Sequence, residues 1–249
     1  MTHPPRHRFL DLDFDQLDLA RTLDWIAGRD RTARFAYLVT PNVDHMVRLP
    51  KLNPLLRRAY GDADLCLCDS RILVRLARSC GVDLTLVPGS DLTAALFADP
   101  RSAGRRIALI GGGPQHGARL QALFPDREIH QHVPPMGLLR APAARGEAIA
   151  FAERIQPDIL LLAVGSPQQE LLAHEMRASG KVGGTALCIG ASVDFLVGAE
   201  KRAPRLVQRA NLEWAWRLAR NPRRMAHRYL VQDPAIFAMT WAWARRRRV

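Results

Sequence analysis

The sequence predicts an α/β fold: a Rossmann-like, largely parallel sheet with helices on both faces, followed by a basic helical C-terminal appendage. Three observations carry that expectation. Short apolar runs of β type alternate with stretches of helical period. Several runs are apolar throughout, as strands covered on both faces are. The residues that follow the runs are small, hydroxylated, amide or acidic, as strand ends around a composite pocket are.

The runs fall at 35–39 (FAYLV), 64–68 (DLCLC), 106–111 (RIALIG), 158–165 (DILLLAVG) and 185–190 (TALCIG). Helical period occupies 42–49, 71–79, 91–97, 144–155 and 168–178 between them. After residue 200 arginines recur at three- and four-residue steps, among them Arg205, Arg209, Arg217, Arg220, Arg224 and Arg228, with Leu206, Leu212, Trp214, Trp216 and Leu218 mostly on other faces. Asn221-Pro222 predicts a boundary between two helices there, and a last segment, 235–244, holds Phe237, Trp241 and Trp243 ahead of four arginines. The division expected is therefore a catalytic body over 1–200 and an appendage over 201–249.

The chain of 249 residues is long enough for a large core, and its formal net charge is +12. Residues 201–249 hold thirteen Lys or Arg against Glu213 and Asp233, which leaves about +1 for the first 200. The basicity belongs to the tail, where Trp and Tyr beside arginines suit an anionic membrane surface. Nucleic-acid binding by that tail is the alternative, and plain solvation of a packed helix a third reading. No uninterrupted apolar run of about 18 residues spans a membrane, and the acidic alternation after residue 8 is no signal peptide, so a cytoplasmic protein peripheral to the membrane is expected. Apolar tail surface can also be buried between protomers, so a homo-oligomer is a further soluble form.

Cys66, Cys68, Cys80 and Cys188 form neither a CxxC pair nor a zinc frame and read as reduced, mostly buried thiols, with Cys66 and Cys68 on one strand face. The Asp-x-Asp pairs at Asp11/Asp13, Asp13/Asp15 and Asp62/Asp64 follow no predicted strand; they read as turns or surface, with no metal expected. Gly111-Gly112-Gly113-Pro114, between strand and helix, would let backbone amides approach a phosphate, or make a plain tight turn. It is neither GxGxxG nor a P-loop, and no ribose-binding acid stands downstream, which argues against a nicotinamide oxidoreductase. Asp69, just past a strand, reads by itself as a helix N-cap; the same placement in a cleft is what a general base needs. Asp194 reads as structural, with a polar pocket contact as the alternative.

Taken together, several blocks resemble the WecG/TagA/CpsF glycosyltransferases (glycosyltransferase family 26). They are Thr40-Pro41-Asn42-Val43-Asp44-His45, Cys68-Asp69-Ser70, Pro88-Gly89-Ser90-Asp91-Leu92, Leu109-Ile110-Gly111-Gly112, Pro157-Asp158-Ile159-Leu160, Gly165-Ser166-Pro167-Gln168-Gln169-Glu170, Gly190-Ala191-Ser192-Val193-Asp194-Phe195, and Lys201-Arg202-Ala203-Pro204 leading to Leu212-Glu213-Trp214. The resemblance implies inverting sugar transfer without a metal or other cofactor, from a UDP-sugar donor to a polyprenyl-diphosphate, lipid-linked acceptor. It implies Asp69 as catalytic base, Thr40, Asn42 and Gln169 as polar pocket residues, and an appendage that closes the site and attaches to the membrane. Arg217, Arg220 and Arg224 are then the supply of charge for a diphosphate. This chain has Cys68-Asp69-Ser70-Arg71 where many members read Ala-Asp-Gly, and Leu86-Val87-Pro88 where many carry an arginine. Those departures widen the expected donor from N-acetylhexosamines to glucose or a uronic acid, for surface or exopolysaccharide assembly.

Overall fold

The computed structural model describes residues 4–201, 203–204, 207 and 212–247, apart from the side chain of Arg224. Six strands form one parallel sheet: β3 (Ala36–Val39), β4 (Leu65–Cys66), β5 (Arg106–Gly111), β6 (Glu128–His132), β7 (Ile159–Ala163) and β8 (Thr185–Cys188), in the order β4-β3-β8-β7-β5-β6. The chain winds outward from β3 to β4 on one side and from β5 to β6 on the other. It returns through β8 and β7 between them, so loops diverge above the centre of the sheet, where such folds open a crevice.

Alternation along the strands builds two cores. Tyr37, Val39, Ala108, Ile110, Leu160, Leu162, Ala186 and Cys188 face one; Leu38, Ile107, Leu109, Ile159, Leu161 and Leu187 face the other. The first is covered by α2 (Val43–Arg48), α4 (Arg71–Ser79), α7 (Pro142–Ile155) and α8 (Gln168–Ser179). The second is covered by α1 (Leu19–Ala27), α5 (Gly89–Ala98), α6 (His116–Leu123) and α9 (Ser192–Leu196). Helix α3 (Pro54–Gly61) adds the buried Tyr60 to the first side. Cys66 and Cys68 do share a face there, buried and free, with burial pushing the Cys68 thiol up to about 12.

The periodicity overlooks several elements. An antiparallel hairpin, β1 (Arg6–Phe9) and β2 (Leu12–Asp15), lies ahead of the sheet, and β6 is too polar (EIHQH) to read as an apolar run. Helices α1, α3 and α6 are likewise unassigned by it. The hairpin corrects the reading of the acidic pairs. Asp15 is buried, is ion-paired to Arg6 at 2.9 Å and accepts the Cys66 N–H at 2.7 Å. Asp64 accepts the Tyr37 N–H at 2.8 Å and pairs with Arg177. Both are clamps on the β3–β4 edge, whereas Asp11 stays at the surface.

In the C-terminal segment α10 (Glu213–Arg220) and α11 (Pro222–Ala226) meet at Asn221-Pro222 as predicted, and a π-helical stretch leads towards α12 (Ala235–Arg246). Helix α12 is double-faced. Ile236, Thr240 and Trp243 are buried, with the Trp243 ring edge-on to Phe9 at 5.2 Å, while Phe237 and Trp241 are exposed. Arg205, Leu206 and Arg209 lie outside the described residues.

Candidate active site

The site begins at β4. Asp69 follows that strand, and its N–H is held by the Pro41 carbonyl at 3.1 Å, which locks the ends of β3 and β4 together. The N-cap of α4 is Ser70, whose hydroxyl accepts the Leu73 N–H at 3.3 Å. Asp69 is thus relieved of the capping role its position suggests, which leaves its carboxylate available for other work. The Gly89 N–H favours its ionised form. Burial pushes its carboxyl up to about 7, against the pull of Arg217 and of that N–H, with Glu213 and Asp91 adding repulsion. Arg217 and Glu213 belong to α10, so the C-terminal segment faces the carboxylate electrostatically.

Gly89 has little room for a side chain: a Cβ would lie 3.0 Å from Thr40 Oγ1 and 3.4 Å from Ser192 Oγ. Those contacts gather the ends of β3, β4 and β8 around one point. Thr40 is buried, its hydroxyl donating to the Cys188 carbonyl at 3.2 Å. Asn42 caps α2, and its Oδ1 accepts from Asp44 N–H at 3.1 Å, His45 N–H at 3.5 Å and Arg228 at 3.3 Å.

Gln169 is buried as a strut: its Oε1 accepts the Gly190 N–H at 3.0 Å and its Nε2 donates to Glu170 at 2.9 Å. It therefore shapes the loop after β8. Burial raises the Glu170 carboxyl, and Glu170 Oε2 has no hydrogen-bond partner among the described residues.

The glycine run stands at the end of β5. A Cβ on Gly111 would fall 2.6 Å from the Ala163 carbonyl oxygen, at a φ of +97°, so close strand contact requires that glycine. The Gly112 N–H already bonds the Ala163 carbonyl at 3.3 Å and the Gly113 N–H the His116 Nδ1 at 3.0 Å. His116 in turn lies 3.4 Å from Asp194, next to Phe195, over which Arg217 stacks at 5.4 Å. Contacts thus lead from the glycine turn through His116 to Asp194, and from the next residue, Phe195, to Arg217, whose charge acts on Asp69.

Of the three arginines singled out in the tail, Arg217 is the one whose charge acts on Asp69. Arg220 stacks on Trp216 of its own helix at 5.9 Å, and the side chain of Arg224 is outside the described residues. Gly89, Ser192 and Glu213 stand in the sequence blocks that carry the resemblance but were given no role there, and His116 was not singled out at all. His116 three residues after Gly113, ready to accept its N–H, was the one local signal.

The whole arrangement coincides with a family match: the glycosyl transferase WecG/TagA/CpsF family covers residues 7–249. The chain belongs to the WecG/TagA/CpsF family. It is therefore a glycosyltransferase of cell-surface polysaccharide synthesis, a family that works with a sugar donor and a lipid-linked acceptor. Among the described residues no helix is long and apolar enough to cross a membrane.

Proposed function

We propose that this WecG/TagA/CpsF protein is an inverting, metal-independent transferase that moves a hexose-type sugar, an N-acetylhexosamine, glucose or a uronic acid, from a UDP-sugar to a polyprenyl-diphosphate-linked acceptor in surface or exopolysaccharide synthesis. The observation that supports it most is Asp69: a carboxylate at a strand end, relieved of capping, raised to about 7 and faced by Arg217. A base with that value accepts a proton efficiently near neutral pH. The acceptor hydroxyl oxygen forms its bond to the anomeric carbon as its proton passes to Asp69. The bond from that carbon to the diphosphate oxygen breaks on the opposite face, inverting the configuration. The departing charge is met by guanidinium groups: Arg217, whose charge acts on Asp69, with Arg220 and Arg224 as further candidates.

Thr40, Asn42 and Gln169 shape the pocket in this reading. Gly111 and Gly112 contribute the wall against which the donor lies more than free amides for its phosphates, since the Gly112 N–H is already bonded. Residues 201–249 act as the appendage that completes the site. Its exposed Leu230, Val231, Phe237 and Trp241, with Arg245 stacked on Trp241 at 4.7 Å, suit the anionic inner face of the cell membrane.

The deciding experiment measures UDP release by the purified protein with a short polyprenyl-diphosphate sugar acceptor, across UDP-sugars, with and without chelator. Chelator-resistant turnover with one donor, lost in Asp69→Asn, supports the reading and names the sugar. A folded protein that binds no UDP would sink it.

A further inference from the structure

The C-terminal segment meets the body through a run of alternating charges that the chemistry above does not use. Arg228 lies between Asp233 of its own segment, Nε to Oδ2 3.6 Å, and Asp44 of α2, Nε to Oδ1 3.8 Å. Asp44 is shared with Arg48 at 2.9 Å. Arg48 donates onward to the Ser166 carbonyl and hydroxyl, at 3.3 and 3.2 Å, and that hydroxyl meets the Tyr60 hydroxyl at 2.6 Å. Asp44 and Asp233 are both buried. Four segments are joined this way: the C-terminal one, α2, the loop after β7, and α3.

Arg228 differs in kind from Arg217. Asp44 and Asp233 together balance the charges of Arg228 and Arg48, so Arg228 has little left for a diphosphate. Its Nη2 instead donates to Asn42 Oδ1. That oxygen already serves the N–H groups of Asp44 and His45, and the Asn42 N–H is held by His45 Nδ1 at 2.9 Å. Burial, with Arg48 and Arg228 nearby, lowers His45 to about 3, which keeps its ring a neutral acceptor. With Oδ1 committed to three donors, the Nδ2 amino group is the end of the carboxamide that can meet a ligand.

The geometry points to Arg228 as a positioning residue: it latches the C-terminal helices to α2 and fixes which end of the Asn42 carboxamide faces the pocket. This rests on the reading of the Asp69 cleft as the donor site.

The test compares the full-length wild type with Arg228→Met, Arg228→Lys, Asn42→Ala and the Arg228→Met/Asn42→Ala double variant. It follows UDP affinity by calorimetry, transfer kinetics, and the rate of tryptic cleavage within the arginine-rich residues 213–228. Arg228→Met is expected to raise the donor KM about tenfold or more with a smaller change in kcat, and to speed tryptic cleavage about tenfold. Arg228→Lys keeps one charge but loses the fork that reaches Asn42 and the acids together, so protection returns while the KM stays high. If Arg228 acts through Asn42, adding Asn42→Ala to Arg228→Met changes KM by less than about twofold. Fully additive effects on KM, or unchanged KM and cleavage in Arg228→Met, overturn the assignment. A wild type that binds no UDP refutes the reading of the cleft instead; cleavage of Arg228→Met at the wild-type rate overturns the latch in that case too.

Discussion

Asp69 sits where burial and the field of Arg217 oppose one another, and burial wins, leaving the carboxyl at about 7. Two outcomes follow at the scale of this residue. The rate of transfer should rise with pH through about 7 and level off above it, because only the ionised form accepts the acceptor's proton; a profile flat between pH 5 and 9 would remove Asp69 as the base. Asp69→Asn should lower kcat by about 100-fold or more. The same substitution should also stabilise the fold. A carboxyl whose folded value lies above its ordinary one contributes stability at acid pH that is lost as pH rises through about 7, so the charged form is a cost above neutrality. An asparagine has no such cost. At roughly 1 kcal/mol after screening by the water that reaches the site, Tm at pH 8 should rise by about 2–4 °C, which thermal denaturation reads directly.

At the scale of elements, the turn after β5 and the segment around Arg228 behave differently from their sequence appearance. Gly111-Gly112-Gly113 looks like a phosphate cradle, yet Gly111 is demanded by the Ala163 backbone and the next two amides are bonded within the protein. Gly111→Ala should therefore destabilise the fold by about 2 kcal/mol or more, from backbone strain and overpacking together. A variant as stable as the wild type but with weakened UDP binding would favour the phosphate contact over the tight turn. In the C-terminal segment burial lifts Asp233 to about 6, against Arg228, with Asp44 adding repulsion and Arg48 a smaller attraction. The raised value makes docking tightest in acid and weaker as pH rises through about 6. Tryptic cleavage of residues 213–228 should accordingly be slower at pH 5.5 than at pH 8, relative to an unstructured peptide substrate cut under the same conditions.

The two faces of α12 make the whole-molecule prediction. Trp243 and Ile236 belong to the core with Phe9, whereas Phe237 and Trp241, with Leu230 and Val231 before them, face outward. Trp243→Ala should cost about 3–5 kcal/mol of stability. The double variant Phe237→Ala/Trp241→Ala should leave Tm nearly unchanged but reduce partition onto vesicles of anionic lipid by about tenfold or more, since apolar area and basic charge act together at such a surface. Unchanged partition would place the membrane contact elsewhere. The last helix thus joins docking on the body and the outward apolar face in one rigid piece.

The sequence by itself determined the layered α/β body, because wholly apolar runs such as 106–111 and 158–165 can be covered only on both faces. It also placed Asp69, Thr40, Asn42, Gln169 and the glycine turn at strand ends, since runs and their exits are local features. Polar or short elements escaped it: β6 alternates weakly, and the β1–β2 hairpin hides its one buried acid, Asp15, among surface aspartates. Only the tertiary structure decided which residue caps α4, that Arg217 stacks on Phe195 and acts on Asp69 while Arg220 stacks within its own helix, that Gln169 is a strut, and that Arg228 pairs with Asp44 and Asn42 far away in the chain. These depend on which side chains packing brings within a few ångströms of one another, and no local pattern records a contact between residues 42 and 228.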